Sequence, residues 1–437
     1  MDGSNRMISF HNMESDYKLF EIGKESDFPF WDIIRVHLYA KYINGYSDTF
    51  SIIGKSWIKT LWAFLIGLLV VFKRNRIIYF IMPRDVNTKG NAYDKIAKQL
   101  IDMTPSDNRL IINCIMPVAK KEYKGYSISL LLHILRLFIK KPNIDYVGIN
   151  VIESAFQERF GVRVPHDELL SMYLSYYIQF ISFYRLFSLI KPKKVICSVD
   201  QQKAVYWAAK LRGIPSYELQ HAGIVFEYPS YSYPKGIEKK DNISFADYYV
   251  MFGHNWGVNN NIPCKRLVLG NDYFVPSKFS NYFDKPYIVI ISDQDHVSVI
   301  TRISEELSSL APNLLIVFKL HPIQYTQEQF FVNKFKKHNN IKVITSECHM
   351  PSLLKNMQLM VTVYSSVFFE AMTLGKKVAV IENDIYYLLL PYMKNNPNAR
   401  LVSTAEDILS FIGAPTAEEK FIFYSPFDRE VSSKIIK

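Results

Sequence analysis

From residue 77 the chain alternates two kinds of apolar pattern. Short uninterrupted runs, closed by Pro, Gly or a polar residue, read as strands of a parallel sheet buried on both faces. They cover 77–82 (before Pro83), 110–116, 194–200, 216–223, 247–253 and 265–270. Between some of them, apolar residues at helical spacing predict helices over 94–101, 127–139, 167–190 and 201–211. The last carries Ala204, Ala208 and Leu211 on its inner face and stops at Gly213. The pattern then breaks at 271–286, a polar stretch with Pro276, Ser277, Ser280 and Asp284. It resumes with strands at 287–292, 314–320, 341–344, 359–364 and 377–381. Helices lie between them, with Val299, Ile300, Ile303, Leu307 and Leu310 in register, and the last at 405–412.

Strand–helix alternation of this kind builds right-handed parallel sheets, so the predicted class is α/β. The break divides it into two Rossmann-like, doubly wound domains facing each other across a cleft. Residues 1–272 form an N-terminal domain with extra helices at its start, one of them over 31–42. Residues 273–286 are the linker, 287–415 the C-terminal domain, and 416–437 a tail expected to pack back on the N-terminal domain. Length agrees, since 437 residues are too many for one core.

The segment 57–76 is the exception to the pattern. Its uninterrupted apolar part, 61–72, is too short to span a bilayer. Two readings stay open. It is either a buried core helix or a helix lying on a membrane surface, with Trp57 and Trp62 at headgroup depth and the basic residues 73–76 on anionic lipid. No signal peptide opens the chain, and the scattered Cys114, Cys197, Cys264 and Cys348 form no CxxC pair, which points to a reducing cytoplasm. A formal charge of +11 favours an anionic partner. Nucleic acid is not expected, because no zinc-finger spacing, recognition helix or RNA-binding aromatic motif is present.

Candidate chemistry sits where strands end. In an open parallel sheet, ligands bind beyond the carboxyl ends of the strands. The strand 314–320 ends on Lys319 and His321, and the strand 359–364 runs into Ser365, Ser366 and a helix bearing Glu370. Ser292 and Gln294 follow the strand 287–292. Together these form a donor site for a nucleotide mono- or diphosphate. Taken singly, His321 also suits a hydrogen-bonded structural residue, Ser366 a helix cap and Glu370 a solvated carboxylate. In the first half, Asp200 ends its strand as a base or as the cap of the next helix. The aromatic loop 219–234 holds Gln220, His221, Glu227, Tyr228, Tyr231 and Tyr233. It is either a packed interdomain loop or a sugar platform, with Gln220 and the tyrosines contacting the acceptor. Asp200, His221 and Glu227 are the candidate bases for deprotonating an acceptor hydroxyl. No DxD, HExxH or cysteine cluster appears, so no metal and no other cofactor is expected; Asp293 and Asp295 lack further ligands. There is no GxxxxGK[ST] and no GxSxG.

With those residues in view, the chain resembles bacterial GT-B-fold glycosyltransferases that assemble capsule and lipopolysaccharide O-antigen. Residues 319–322 with 364–378 look like the His-Pro and Ser-Ser pair of sialyltransferases, Kdo transferases and CDP-glycerol-type polymerases. Residues 213–223 look like the "LQHG" segment of polysaccharide-assembly enzymes, here with Ala222 between His221 and Gly223. The resemblance spans about residues 190–385 and lacks the sialyltransferase acidic pair before a glycine. It implies that His321, Ser365 and Ser366 contact the donor phosphate and Glu370 the ribose, with Asp200 or His221 on the acceptor side. The expectation is a metal-independent glycosyltransferase taking a nucleotide sugar to a lipid-linked or polysaccharide acceptor, peripheral at the cytoplasmic face of the membrane. The alternatives are a CDP-activated polyol-phosphate transferase, a non-catalytic assembly protein, or a sugar-nucleotide epimerase of the same fold.

Overall fold

The computed structural model describes residues 3–45, 74–86, 91–114, 142–199, 202–238, 241–257, 260–275, 283–348, 350–383, 385–394, 396–417 and 421–437, with isolated positions at 72 and between 122 and 139. Most of the 57–76 segment, most of the predicted helix 127–139, linker residues 276–282 and Asp200 lie outside the described residues.

Two six-stranded sheets, each parallel throughout, carry the molecule. The first contains β1 (Ile77–Ile81), β4 (Arg109–Asn113), β5 (Lys194–Cys197), β6 (Ser216–Leu219), β7 (Tyr248–Met251) and β8 (Lys265–Val268), in the order β4-β1-β5-β6-β7-β8. The short hairpin β2 (Asp85–Val86) and β3 (Ala92–Tyr93) stands apart from it. The second contains β9 (Tyr287–Ile291), β10 (Leu315–Lys319), β11 (Ile341–Ile344), β12 (Met357–Thr362), β13 (Lys377–Ile381) and β14 (Ala399–Val402). Its order is β11-β10-β9-β12-β13-β14, so the winding reverses between β9 and β12. In the first sheet it reverses between β1 and β5. A crevice opens at each reversal, where neighbouring crossovers lie on opposite faces.

The α/β class and both parallel sheets agree with the apolar pattern. Several runs outlast their strands. The 216–223 run leaves the ladder at Leu219, and 194–200 leaves it at Cys197, although the next N–H of each still bonds a neighbouring strand: Gln220 N donates to Val250 O at 2.8 Å and Ser198 N to Phe80 O at 3.0 Å. The predicted helix 94–101 starts later, at Lys98, because the Asp94 carboxylate holds the N–H groups of Ile96 and Ala97 in a turn.

Two N-terminal helices, Gly3–Asp16 and Phe30–Leu38, pack on this frame. The second is buried nearly all round and carries charge inward. Arg35 Nε donates to Glu14 Oε1 at 2.5 Å, and Lys203 Nζ to Asp32 Oδ2 at 3.2 Å, all four side chains being buried. Buried charges persist only when paired and hydrogen-bonded. The chain end returns to the first sheet. Asn271 N donates to Ser425 O, Ser425 N to Phe252 O and Asp428 N to Leu269 O, and the helix Arg429–Ile436 follows. Gly253 and Gly270 permit this approach, for a Cβ on Gly270 would lie 2.1 Å from Pro426 O. No helix among the described residues is long and apolar enough to cross a membrane.

Candidate functional site

The two domains meet around a cluster of rings. Trp256 of the N-terminal domain packs against Phe369 at 4.3 Å between centroids and against Phe423 of the tail at 5.0 Å. Tyr392 donates its hydroxyl to Ile224 O, and Gly223 lies so near Phe369 that a Cβ there would sit 3.3 Å from the ring. This joint holds open a cleft of about 2050 Å³. Its walls include Arg84, Lys95, Glu227 and Tyr228 from the first domain and Ser292, His321, Ser365, Ser366 and Glu370 from the second.

On the C-terminal side, residues from three adjacent strand ends converge at the β9/β12 reversal. His321 follows β10 and caps the 3-10 turn Pro322–Gln327, its Nδ1 accepting from Ile323 N at 3.3 Å. A neutral imidazole with Nδ1 so used carries its proton on Nε2, as a donor. Ser365 Oγ accepts from Val367 N at 3.2 Å, and Ser366 is exposed at the start of the helix Val367–Thr373. Glu370 lies in the first turn of that helix. It keeps partial access to solvent from the cleft, yet enough protein surrounds it that burial lifts its carboxyl to about 7, against the pull of Lys95. Lys95 comes from the other domain and lies 4.5 Å from the Tyr273 ring centroid.

Other donor-side candidates have different duties. Lys319 lines the cleft but is largely buried, its ammonium donating to Leu320 O at 3.1 Å and Tyr325 Oη at 3.0 Å, so it also secures the turn after β10. Ser292 lines the cleft but donates its hydroxyl to Gln324 Oε1 at 2.6 Å. Gln294 is exposed on the turn after β9 and does not line the cleft. The Asp293 carboxylate accepts from the N–H groups of Asp295 and His296 and pairs with His296 Nδ1 at 2.8 Å. Among the described residues no group of three or more His, Cys, Asp or Glu is placed to hold a metal ion.

The aromatic loop divides. Glu227 and Tyr228 line the cleft. Gln220 is buried, its amide bonding Ala222 O and Phe252 N, so its amide is engaged within the fold and not turned to an acceptor. Tyr231 and Tyr233, expected to contact the acceptor, are instead buried in the core. Tyr231 donates to Glu218 at 2.6 Å, and Tyr233 donates to Asp32 at 2.7 Å while accepting from Lys203. A run of tyrosines does not reveal which rings turn inward, and here the inner ones answer buried charges. His221 lies beside Tyr231, 3.4 Å from its hydroxyl, and outside the cleft lining.

Sequence reasoning missed several cleft residues. Arg84 follows Pro83 at the end of β1, where the strand-end rule would have found it; it donates to Ser198 O at 2.7 Å and pairs with Asp94 at 3.0 Å. Arg6, Tyr39, Tyr386 and Tyr387 carry no such signal, because they line the cleft from helices and a 3-10 turn rather than strand ends.

Comparison with known proteins gives one family. Residues 283–420, less than half the chain, match the profile of the CDP-Glycerol:Poly(glycerophosphate) glycerophosphotransferase family. No curated protein matches the sequence. Among solved structures, S. aureus MnaA with UDP shares 13% identity at a TM-score of 0.45, over 83% of this chain and 95% of that one. The UDP-GlcNAc 2-epimerase from Methanocaldococcus jannaschii shares 14% at 0.46, over 83% and 98%. Acinetobacter baumannii MurG shares 12% at 0.42, over 77% and 89%. Overlap at that level transfers no chemistry. The family match is the more specific finding: the domain carrying His321, Ser365, Ser366 and Glu370 is similar to a transferase family.

Proposed function

We propose that this protein is a transferase that moves a glycosyl group from a nucleotide-activated donor to an acceptor hydroxyl. The observation that carries it is the convergence of His321, Ser365, Ser366 and Glu370 at the β9/β12 reversal, in one cleft with Glu227. The nucleotide phosphate lies against His321 Nε2–H and the two serine hydroxyls, and the ribose near Glu370. Glu227 accepts the proton of the attacking hydroxyl. The new bond forms from that oxygen to the anomeric carbon as the bond to the nucleotide phosphate breaks. The charge left on the phosphate is met by His321, with Arg84 and Lys95 on the opposite wall. No metal is assigned a part, so turnover should survive EDTA. The acceptor read from the 213–223 resemblance is a lipid-linked or polymeric glycan of the bacterial surface (capsule, O-antigen or lipopolysaccharide), met at the cytoplasmic face of the membrane.

A second reading, transfer of a polyol phosphate from a CDP-activated donor, is favoured by the family match. It uses the same donor pocket and differs in product: a phosphodiester rather than a glycosidic bond, which phosphate analysis of the product separates. The common test is a thermal-shift panel of CMP, CDP, UDP, GDP and ADP, since a ligand bound to the native state raises the midpoint. One nucleotide should give a clear shift, abolished or much reduced in His321→Ala and Ser365→Ala. No shift with any of the five would overturn both readings.

A further inference from the structure

The cleft exceeds what its donor requires. Pockets for small ligands and cofactors run to ~300–1,000 Å³, whereas this one is about 2050 Å³. Part of its wall comes from elements that contribute nothing to either sheet. Arg6 stands on the helix Gly3–Asp16; Tyr39 and Asn44 begin and close the π-helical turn that follows the second N-terminal helix; Tyr228 lies on the aromatic loop; Tyr386 and Tyr387 lie in a 3-10 turn of the C-terminal domain. These groups are neighbours. The Tyr39 hydroxyl feels Tyr387, Glu227 and Arg6, and burial raises its pKa, so it stays neutral. Glu227 also acts on Tyr392, which in turn feels Tyr364, the residue before Ser365. Glu227 lines the same cleft as this wall and the donor strand ends.

The wall's chemistry is specific. Tyrosine rings present apolar faces to the C–H faces of pyranoses while keeping a hydroxyl for hydrogen bonds. Arg6 is half-buried, lines the cleft, and offers a fork suited to a carboxylate. The wall is also rigidly backed. Arg35, paired with Glu14 on the Arg6 helix, donates to Pro229 O and Ser232 O of the loop, and the His11 ring bonds Ser232 O at 3.1 Å. A site held before its ligand arrives loses less entropy on binding.

We propose that this wall is a second subsite that binds an acidic oligosaccharide, its carboxylate on Arg6 and one hydroxyl turned toward Glu227. What the bound glycan does there rests on the transferase reading; that it binds does not. The test is saturation-transfer NMR of the full chain with tetragalacturonate and with its neutral methyl ester, using wild type, Arg6→Gln and Tyr387→Ala. Melting temperatures confirm that both variants fold. The acid should bind and the ester bind far more weakly. Arg6→Gln should weaken the acid about tenfold, the loss of one charge-assisted contact, and leave the nucleotide-induced thermal shift intact. Tyr387→Ala should weaken acid and ester together. Equal binding of acid and ester, unchanged binding by Arg6→Gln, or no glycan binding at all would overturn the subsite. Glycan binding without any nucleotide shift would keep the subsite and remove the transferase reading.

Discussion

Replacing Glu370 with glutamine isolates one buried titration. Burial carries this carboxyl from the ordinary 4.5 to about 7, with Lys95 opposing the rise and the Tyr273 and Tyr424 hydroxyls also within its field. The folded state therefore holds a proton on Glu370 between those values when the unfolded chain has released it. Stability then falls as pH rises from 4.5 to about 7 and levels off above. At ~1.4 kcal/mol per pH unit the full loss is up to about 3 kcal/mol, and ~1–2 kcal/mol once screening through the open cleft is counted. Glu370→Gln is neutral at every pH and keeps the shape, so it escapes this loss. Its melting temperature should match wild type near pH 5 and exceed it at pH 8. Lys95→Met should do the reverse, deepening the wild-type decline by removing a cation that favours the ionised carboxyl. Paired scans of the three proteins at unit steps from pH 5 to 8 decide it. A Glu370→Gln difference that is the same at pH 5 and pH 8, or that favours wild type at pH 8, would refute the reasoning.

Two further outcomes follow from the packing. Glu14→Leu leaves Arg35 charged and buried without its partner, which should cost ~3–5 kcal/mol; Glu14→Leu with Arg35→Met should recover much of it, and chemical denaturation showing the double variant no better than the single would contradict the pairing. Gly270→Ala forces a left-handed residue (φ +71°) and drives a Cβ onto Pro426 O, so it should lower stability by about 2 kcal/mol or more. It should also make the segment after residue 425 the first site of limited proteolysis, read by mass spectrometry.

How far the site could be read in advance differs residue by residue. His321, Ser365, Ser366 and Ser292 stand at strand ends, and a parallel sheet places such ends on one edge whatever else the chain does. Lys319 satisfied the same rule and lines the cleft, but its ammonium is also engaged, because the 3-10 turn after β10 brings the Tyr325 hydroxyl to it. The tyrosines of the loop 219–234 were ambiguous for a different reason. Composition marks them as contact-makers, but Tyr231 and Tyr233 answer Glu218, Asp32 and Lys203, the last two brought in from distant elements. Arg6 and Tyr39 could not be found from local pattern at all. Arg35 meets Pro229 across 194 positions of sequence, and that contact carries the N-terminal helices to the cleft.

The sequence by itself therefore determined the two parallel sheets, the break between them, and the polar strand ends of the C-terminal domain. These depend on periodicity and on local chain direction, which are properties of neighbouring residues. Only the tertiary structure decided which of those polar groups remain open to the cleft, which carboxylates line it, and which helices complete its wall. Those depend on buried pairs such as Glu14–Arg35 and Asp32–Lys203 and on the Trp256–Phe369–Phe423 joint. They join groups far apart in the chain, and no local pattern encodes that.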